Sequence, residues 1–165
     1  PKFIDMVCAI KPDQVTLVPD APDAITSNAG WDTVANRAFL QEVIQEFKQH
    51  GIRTSIFLDP DAAQVEAVVK TGTDRIELYT QAYAEAYTLD PVKAIAPFVD
   101  AATKAQEVGL GLNAGHDLSL HNIAFFAQQL PGLLEVSVGH ALICESLYFG
   151  LENVINQYKD NISTH

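Results

Sequence analysis

Basic residues are scarce in this chain: ten lysines and arginines stand against 21 aspartates and glutamates, for a formal net charge of -11. That balance opposes the polyanionic surface of nucleic acid or of an acidic membrane. A small phosphorylated ligand is not excluded, because backbone N–H groups at a helix N-terminus can hold one against an unfavourable global field. Cysteine is nearly absent as well. Cys8 and Cys144 form no CxxC and have no flanking metal-ligand pattern, so the expectation is a reduced, intracellular chain with both thiols in the core. No apolar run reaches the roughly 18 residues of a membrane span, and no basic-then-apolar leader opens the sequence. A cytoplasmic location is expected by default. Neither the G-x-G-x-x-G turn nor the P-loop pattern is present, which weakens a nucleotide-binding reading. The first residue is Pro1 rather than Met, and the expectation drawn from it is a piece of something longer.

What is present is an ordinary globular composition, 48% hydrophobic and 19% charged over 165 residues. A single domain of this size buries roughly 70% of the surface of its unfolded chain. Ile4, Val7 and Cys8 lie at helical spacing and stop at Lys11-Pro12, so the chain is expected to open in the last turns of a helix. Val15, Leu17 and Val18 predict a strand, followed by a long loop from Asp20 to Gly30 in which Thr26, Ser27 and Asn28 are candidates for ligand contact. Asp32 can cap a helix whose buried stripe is Leu40, Val43, Ile44 and Phe47. Thr54 to Leu58 reads as a strand. Asp59-Pro60 predicts an N-cap and first helical residue, with Val65, Val68 and Val69 on the buried face. Arg75 to Thr80 reads as a strand, Gln81 to Leu89 as a helix, and Asp90-Pro91 as a second cap-plus-proline start. Pro97 is expected to kink or split that helix. Short helices are predicted at Asn122 to Leu130 and at Ala141 to Phe149. A final one carries Leu151, Val154, Ile155 and Tyr158.

Two features point to chemistry. The first is a repeated signature, GLNAGHDL at 111–118 and VSVGHALI at 136–143. Each copy is an apolar, strand-like run (Leu110, Leu112 and Ala114; Val136, Val138 and Ala141) containing a Gly-His pair. Glycine admits close approach of backbone N–H to an anion, and histidine exchanges a proton near neutral pH. The two pairs lie about 24 residues apart, the length of one β/α unit. The second is Glu77, a carboxylate inside the apolar strand IEL. Burying it unpaired would be costly, so it must face a polar lumen, a partner or solvent.

Strands near 15, 55, 76, 111 and 135, alternating with helices, imply a parallel sheet with helical crossovers. Two architectures fit: a flavodoxin-like open sheet, or strands 4 to 8 of a (β/α)8 TIM barrel, whose phosphate site often follows the last two strands. The first would make the chain a non-catalytic binding or regulatory module; the second makes residues 1–165 a single partial barrel domain with its N-terminal strands missing.

The stretches LVPD at 17–20, IT at 25–26 with Gly30, TSIFLDPD at 54–61, RIELYTQAYA at 75–84, GLNAGHDL and VGHALI together resemble the pyridoxine 5′-phosphate synthase family. The resemblance spans essentially the whole chain. It implies a transferase-type, ring-closing enzyme of vitamin B6 biosynthesis. Its reaction condenses 3-amino-2-oxopropyl phosphate with 1-deoxy-D-xylulose 5-phosphate to pyridoxine 5′-phosphate, phosphate and water, with no metal or organic cofactor. It further implies a homo-oligomer. By the same resemblance the proton-donor histidine falls on His116 and the transition-state-stabilising glutamate on Glu77. Substrate-binding positions fall on Thr26, Asp117, Gly139 and His140. At Asp117 the family often has glycine, so its backbone N–H is the expected contact. Other catalytic groups of the family lie on earlier strands, upstream of Pro1, so an isolated piece is expected to be inactive.

Overall fold

Each apolar run becomes a strand, and each strand pairs in parallel with the next. The computed structural model describes residues 2–21 and 23–163. The strands are β1 (Gln14–Leu17), β2 (Arg53–Leu58), β3 (Arg75–Tyr79), β4 (Gly111–His116) and β5 (Leu133–Val138). They form one sheet in the order β1-β2-β3-β4-β5. A flavodoxin-like sheet reverses its strand order at a switch point; this one does not, which removes the open-sheet alternative. The sheet also curls. Five flat strands would hold β1 and β5 about 19 Å apart at the usual spacing, yet Gln14 Nε2 on β1 donates to Glu135 Oε2 on β5 at 3.4 Å. The architecture is a five-stranded section of a (β/α) barrel.

The helices are α1 (Lys2–Ile10), α2 (Arg37–Gln49), α3 (Ala62–Val68), α4 (Gln81–Tyr87), α5 (Pro91–Glu107), α6 (Ile123–Gln129), α7 (His140–Phe149) and α8 (Leu151–Ile162), of which α7 packs against α8 and the others supply buried residues to the layer on the convex face. Ile56, Leu58, Ile76, Leu78, Leu112 and Ala114 point outward from the strands into a fully buried layer with Leu40, Phe47, Val65, Phe98 and Phe126. Period-2 alternation on strands and the 3.6-residue stripe on helices build this interface.

Several local expectations are corrected. Asp32 caps a turn, accepting from the N–H groups of Val34 and Ala35, and α2 begins at Arg37. The cap of α3 is Asp61, which accepts from Ala63 N–H; Asp59 is engaged by the N–H of Gly30 at 3.1 Å. Val69 falls in a 3-10 turn after α3 and is 40% exposed. Pro97 does not split α5, which runs unbroken through it. Ala141 lies in α7 rather than in a strand, and β5 is half-exposed because it is the sheet edge. Cys8 is half-buried and Cys144 exposed, since the helices that carry them flank the two open edges.

Candidate active site

Residues on the concave face follow the strand period. Near the N-terminal ends, Arg53 donates to Gln14 Oε1 (2.8 Å) and to Glu135 Oε1 (3.1 Å), and Arg75 pairs with the same Glu135 oxygen (2.8 Å). Asn113 joins the network by accepting from Arg75 and donating to Glu135. Two guanidinium groups thus share one carboxylate, a polar plug tying β1, β2, β3, β4 and β5 together from inside. One step along the lumen, Glu77 is buried and accepts from the Thr16 hydroxyl at 3.2 Å. The polar partner that an IEL strand demands is therefore supplied across the lumen by β1.

At the C-terminal ends an open cleft of about 770 Å³ is lined by Thr26, Ser27, Asn28, Tyr79, Gln81, His116, Asp117, residues 136–138, Gly139 and His140. Seven expected residues, Thr26, Ser27, Asn28, His116, Asp117, Gly139 and His140, meet here although they come from three distant parts of the chain. Glu77 does not line the cleft. It lies one layer below, where its Oε1 is 2.9 Å from the position a Cβ on Gly115 would take. The absence of a side chain at Gly115 leaves room for the carboxylate beside the residue that precedes His116.

His116 carries the strained backbone of the site. Its φ is +92°, a left-handed value that a non-glycine residue adopts at a cost of about 1–3 kcal/mol and that clusters at functional sites. The ring is held by Phe57 (centroids 4.7 Å apart) and edge-on by Tyr79 (5.9 Å). Tyr79 in turn donates to the backbone oxygen of Ser27 at 3.0 Å and contacts Gln81, fastening the long loop to the cleft. Burial, reinforced by Asp117 and other nearby carboxylates, pushes the Tyr79 phenol above its ordinary value. The Asp117 carboxyl is raised too, by burial first and by Glu85, with His116 opposing. The backbone N–H of Asp117 is already spoken for: it donates to Thr80 Oγ1 at 3.0 Å, which departs from its expected role as a substrate contact.

Helix α7 begins at the cleft with Gly139 as its N-cap residue, and the N–H of Ile143 closes the first turn on Gly139 O. The preceding N–H groups therefore face the cleft end of the helix with its partial positive charge. No residue of α7 is buried. Glu145 secures it, accepting from Leu120 N–H at 3.0 Å and from the Tyr158 hydroxyl at 2.6 Å. His140 Nε2 lies 3.5 Å from Cys144 Sγ. Among the described residues, no lysine or arginine lines the cleft, so an anion there would meet backbone N–H groups and histidines.

Sequence reading missed Tyr79, Gln81, Ser137, Thr16 and Thr80. Tyr79 was accessible to it, since a strand residue two past Glu77 faces the same way; Thr16 and Ser137 required the register between strands. Among the described residues, Cys8, Glu46 and His50 place possible metal-ligand atoms within 4.8 Å of one another. They belong to α1, α2 and the residue after α2, outside the sheet. His50 Nδ1 is already 2.9 Å from the backbone oxygen of Glu46.

Strand ends, a long loop and a helix N-terminus converge on one polar cleft at the C-terminal end of a parallel β/α barrel section, the end at which barrels carry their sites. Residues 1–164 match the family model for pyridoxal phosphate biosynthesis protein PdxJ, and the chain belongs to that family. It is 65% identical over 156 residues to pyridoxine 5′-phosphate synthase of Flavobacterium johnsoniae, covering 94% of this chain and 66% of that protein. Against the enzyme of the same name from Parabacteroides distasonis it is 60% identical, covering 96% and 66%. The chain thus spans about two-thirds of the length of these relatives. A crystal structure of the Amycolatopsis orientalis BexX/CysO complex shares the fold, with a TM-score of 0.59 at 14% identity, covering 97% of this chain and 59% of that one. Among the described residues, no helix is long and apolar enough to cross a membrane.

Proposed function

We propose that this chain carries part of the active site of a pyridoxine 5′-phosphate synthase. The reaction condenses 3-amino-2-oxopropyl phosphate with 1-deoxy-D-xylulose 5-phosphate to pyridoxine 5′-phosphate, phosphate and water, in a cytoplasmic homo-oligomer needing no metal or organic cofactor. The observation that carries the reading is the meeting of Thr26, His116, Asp117, Gly139 and His140 at one cleft, with Glu77 beneath, in a chain of this family.

His116 is the proton donor. Imine formation, dehydration and phosphate elimination each move a proton, and imidazole changes charge in the range where such transfers are balanced. Its strained backbone and its packing on Phe57 and Tyr79 hold the ring in one direction. Glu77 is a buried acceptor that stabilises positive charge developing on the substrate nitrogen. Low-dielectric surroundings strengthen that attraction, and the Thr16 hydroxyl orients one carboxylate oxygen without consuming the other. Gly139 and His140 hold a phosphate group at the start of α7, where the helix field supplies positive charge to an otherwise acidic protein. Thr26 adds a hydroxyl from the long loop. Asp117 contributes at the mouth of the cleft.

The test is a pair of substitutions in the intact protein, with formation of pyridoxine 5′-phosphate from the two phosphorylated substrates as readout. His116→Ala should lower kcat by about 10² to 10⁴ with little change in KM. His140→Ala should act mainly by raising KM, the signature of a lost ground-state contact. Wild-type protein that makes no product from this substrate pair, or equal effects of both variants on both parameters, would reject the assignment.

A further inference from the structure

Thr80 is fully buried at the end of β3, and its hydroxyl does two jobs at once. Oγ1 donates to Gly115 O at 2.5 Å and accepts from Asp117 N–H at 3.0 Å. The backbone N–H of Thr80 also donates to Gly115 O, at 3.1 Å. The peptide before His116 and the peptide after it are therefore both fastened to one residue, the first after the neighbouring strand. Those two peptides define the φ and ψ of His116, and the φ they enforce is the left-handed +92°. A strained residue relaxes unless its surroundings over-determine it. Here the over-determination has an identifiable source.

We propose that Thr80 is a positioning residue: its hydroxyl clamps the backbone on both sides of His116 and so sets the direction in which the imidazole enters the cleft. The role requires a group that donates and accepts through one oxygen. Serine can do this and valine, of nearly the same shape, cannot. The clamp also explains why an Asp117 N–H at a cleft mouth is turned inward to a side chain instead of outward to a ligand. The catalytic consequence rests on the reading of His116 given above; the structural consequence does not.

The experiment compares Thr80→Val and Thr80→Ser in the intact protein, following kcat, KM and the titration of the His116 imidazole by NMR on histidine-labelled protein. Thr80→Val should lower kcat by about 10- to 100-fold, the cost of a small misplacement of a reacting group. KM should stay within about twofold of wild type, and the His116 titration should shift. Thr80→Ser should restore all three. Wild-type kcat and an unchanged His116 titration in Thr80→Val would overturn the proposal, as would a Thr80→Ser variant as impaired as the valine one. Should the valine variant fail to fold, amide exchange in the unaltered protein decides: the N–H of exposed Asp117 must be protected, and exchange as fast as in an open loop would sink the clamp. If His116→Ala leaves turnover intact, the catalytic reading fails, while the NMR comparison still reports on the clamp by itself.

Discussion

At Gly115 the site depends on an atom that is missing. A Cβ there would lie 2.7 Å from Ser137 O, 2.8 Å from Ser137 Cβ and 2.9 Å from Glu77 Oε1, distances at which something must move. Two of these contacts belong to the adjacent strand and cannot yield without shifting β5. Gly115→Ala is therefore expected to destabilise the fold by about 1–3 kcal/mol, as overpacking does. It should also displace Glu77 from beside the residue that precedes His116, so the residual folded protein should lose more activity than its stability loss accounts for. Denaturant titration alongside activity per folded molecule checks both parts. Gly30 is constrained in a related way: a Cβ there would meet the backbone of Leu58 and Asp59 at 2.3–2.6 Å. The loop after β1 can thus lie against the end of β2 only with glycine at this position.

Between elements, one acidic side chain fastens the N-terminal ends of two strands to a helix. Asp74, just before β3, accepts from the N–H and hydroxyl of Thr54 at 2.8 and 2.9 Å, and its other oxygen pairs with Lys48 of α2 at 2.8 Å. Burial by itself would raise its carboxyl. The hydrogen bonds from Lys48 and Thr54 outweigh that and hold it below the usual carboxylate range. A depressed folded-state value means that the unfolded chain takes up the proton first. The stabilisation is therefore full above the ordinary value of about 3.9 and is lost as pH falls through the folded value. Asp74→Asn should cost about 1 kcal/mol at neutral pH, modest because Asp74 and Lys48 are both partly exposed. The gap from wild type should close as pH drops below about 4. Urea unfolding at several pH values reads this directly, and a gap independent of pH would show that the ionised form of Asp74 contributes nothing.

Across the whole molecule, the five-stranded section leaves β1 and β5 as edges, and the helices beside them present apolar surface. On α7, Ile143, Leu147, Tyr148 and Phe149 are 59–84% exposed; on α1, Phe3, Met6 and Ile10 are 50–69% exposed. Exposed strand edges and contiguous apolar patches are surfaces for association. A solution of the 165-residue chain by itself is expected to self-associate despite its net charge of -11. Light scattering over a concentration series tests this, and a monodisperse monomer at all concentrations would contradict it. The interior plug of Arg53, Arg75 and Glu135 shows that the curl is set inside the section, since it links β5 to β1 side chains directly.

Much of this molecule was legible in one dimension, for reasons that are local. Val15 to Val18, Thr54 to Leu58 and Arg75 to Thr80 read as strands because a short apolar run bounded by turn formers is a property of adjacent residues. The stripe from Leu40 to Phe47 read as a helix for the same kind of reason. The two Gly-His pairs stood out because a motif of neighbours needs no fold to be seen, and Glu77 because a carboxylate between Ile76 and Leu78 has to be answered somewhere. Where a choice of partner was involved, tertiary structure decided. Both Asp59 and Asp61 could cap α3; the N–H of Gly30, from a loop 29 residues away in sequence, takes Asp59 and leaves the cap to Asp61. Pro97 stays within a helix because packing of Ala94, Ile95, Phe98 and Ala101 against the sheet outweighs one lost hydrogen bond. Thr16 meets Glu77, and Thr80 encloses His116, only through strand register, which depends on every pair in the sheet at once. Residue type announces which chemistry is available, whereas the direction and strain of a side chain come from contacts made by distant segments, and these exist only once the chain has folded.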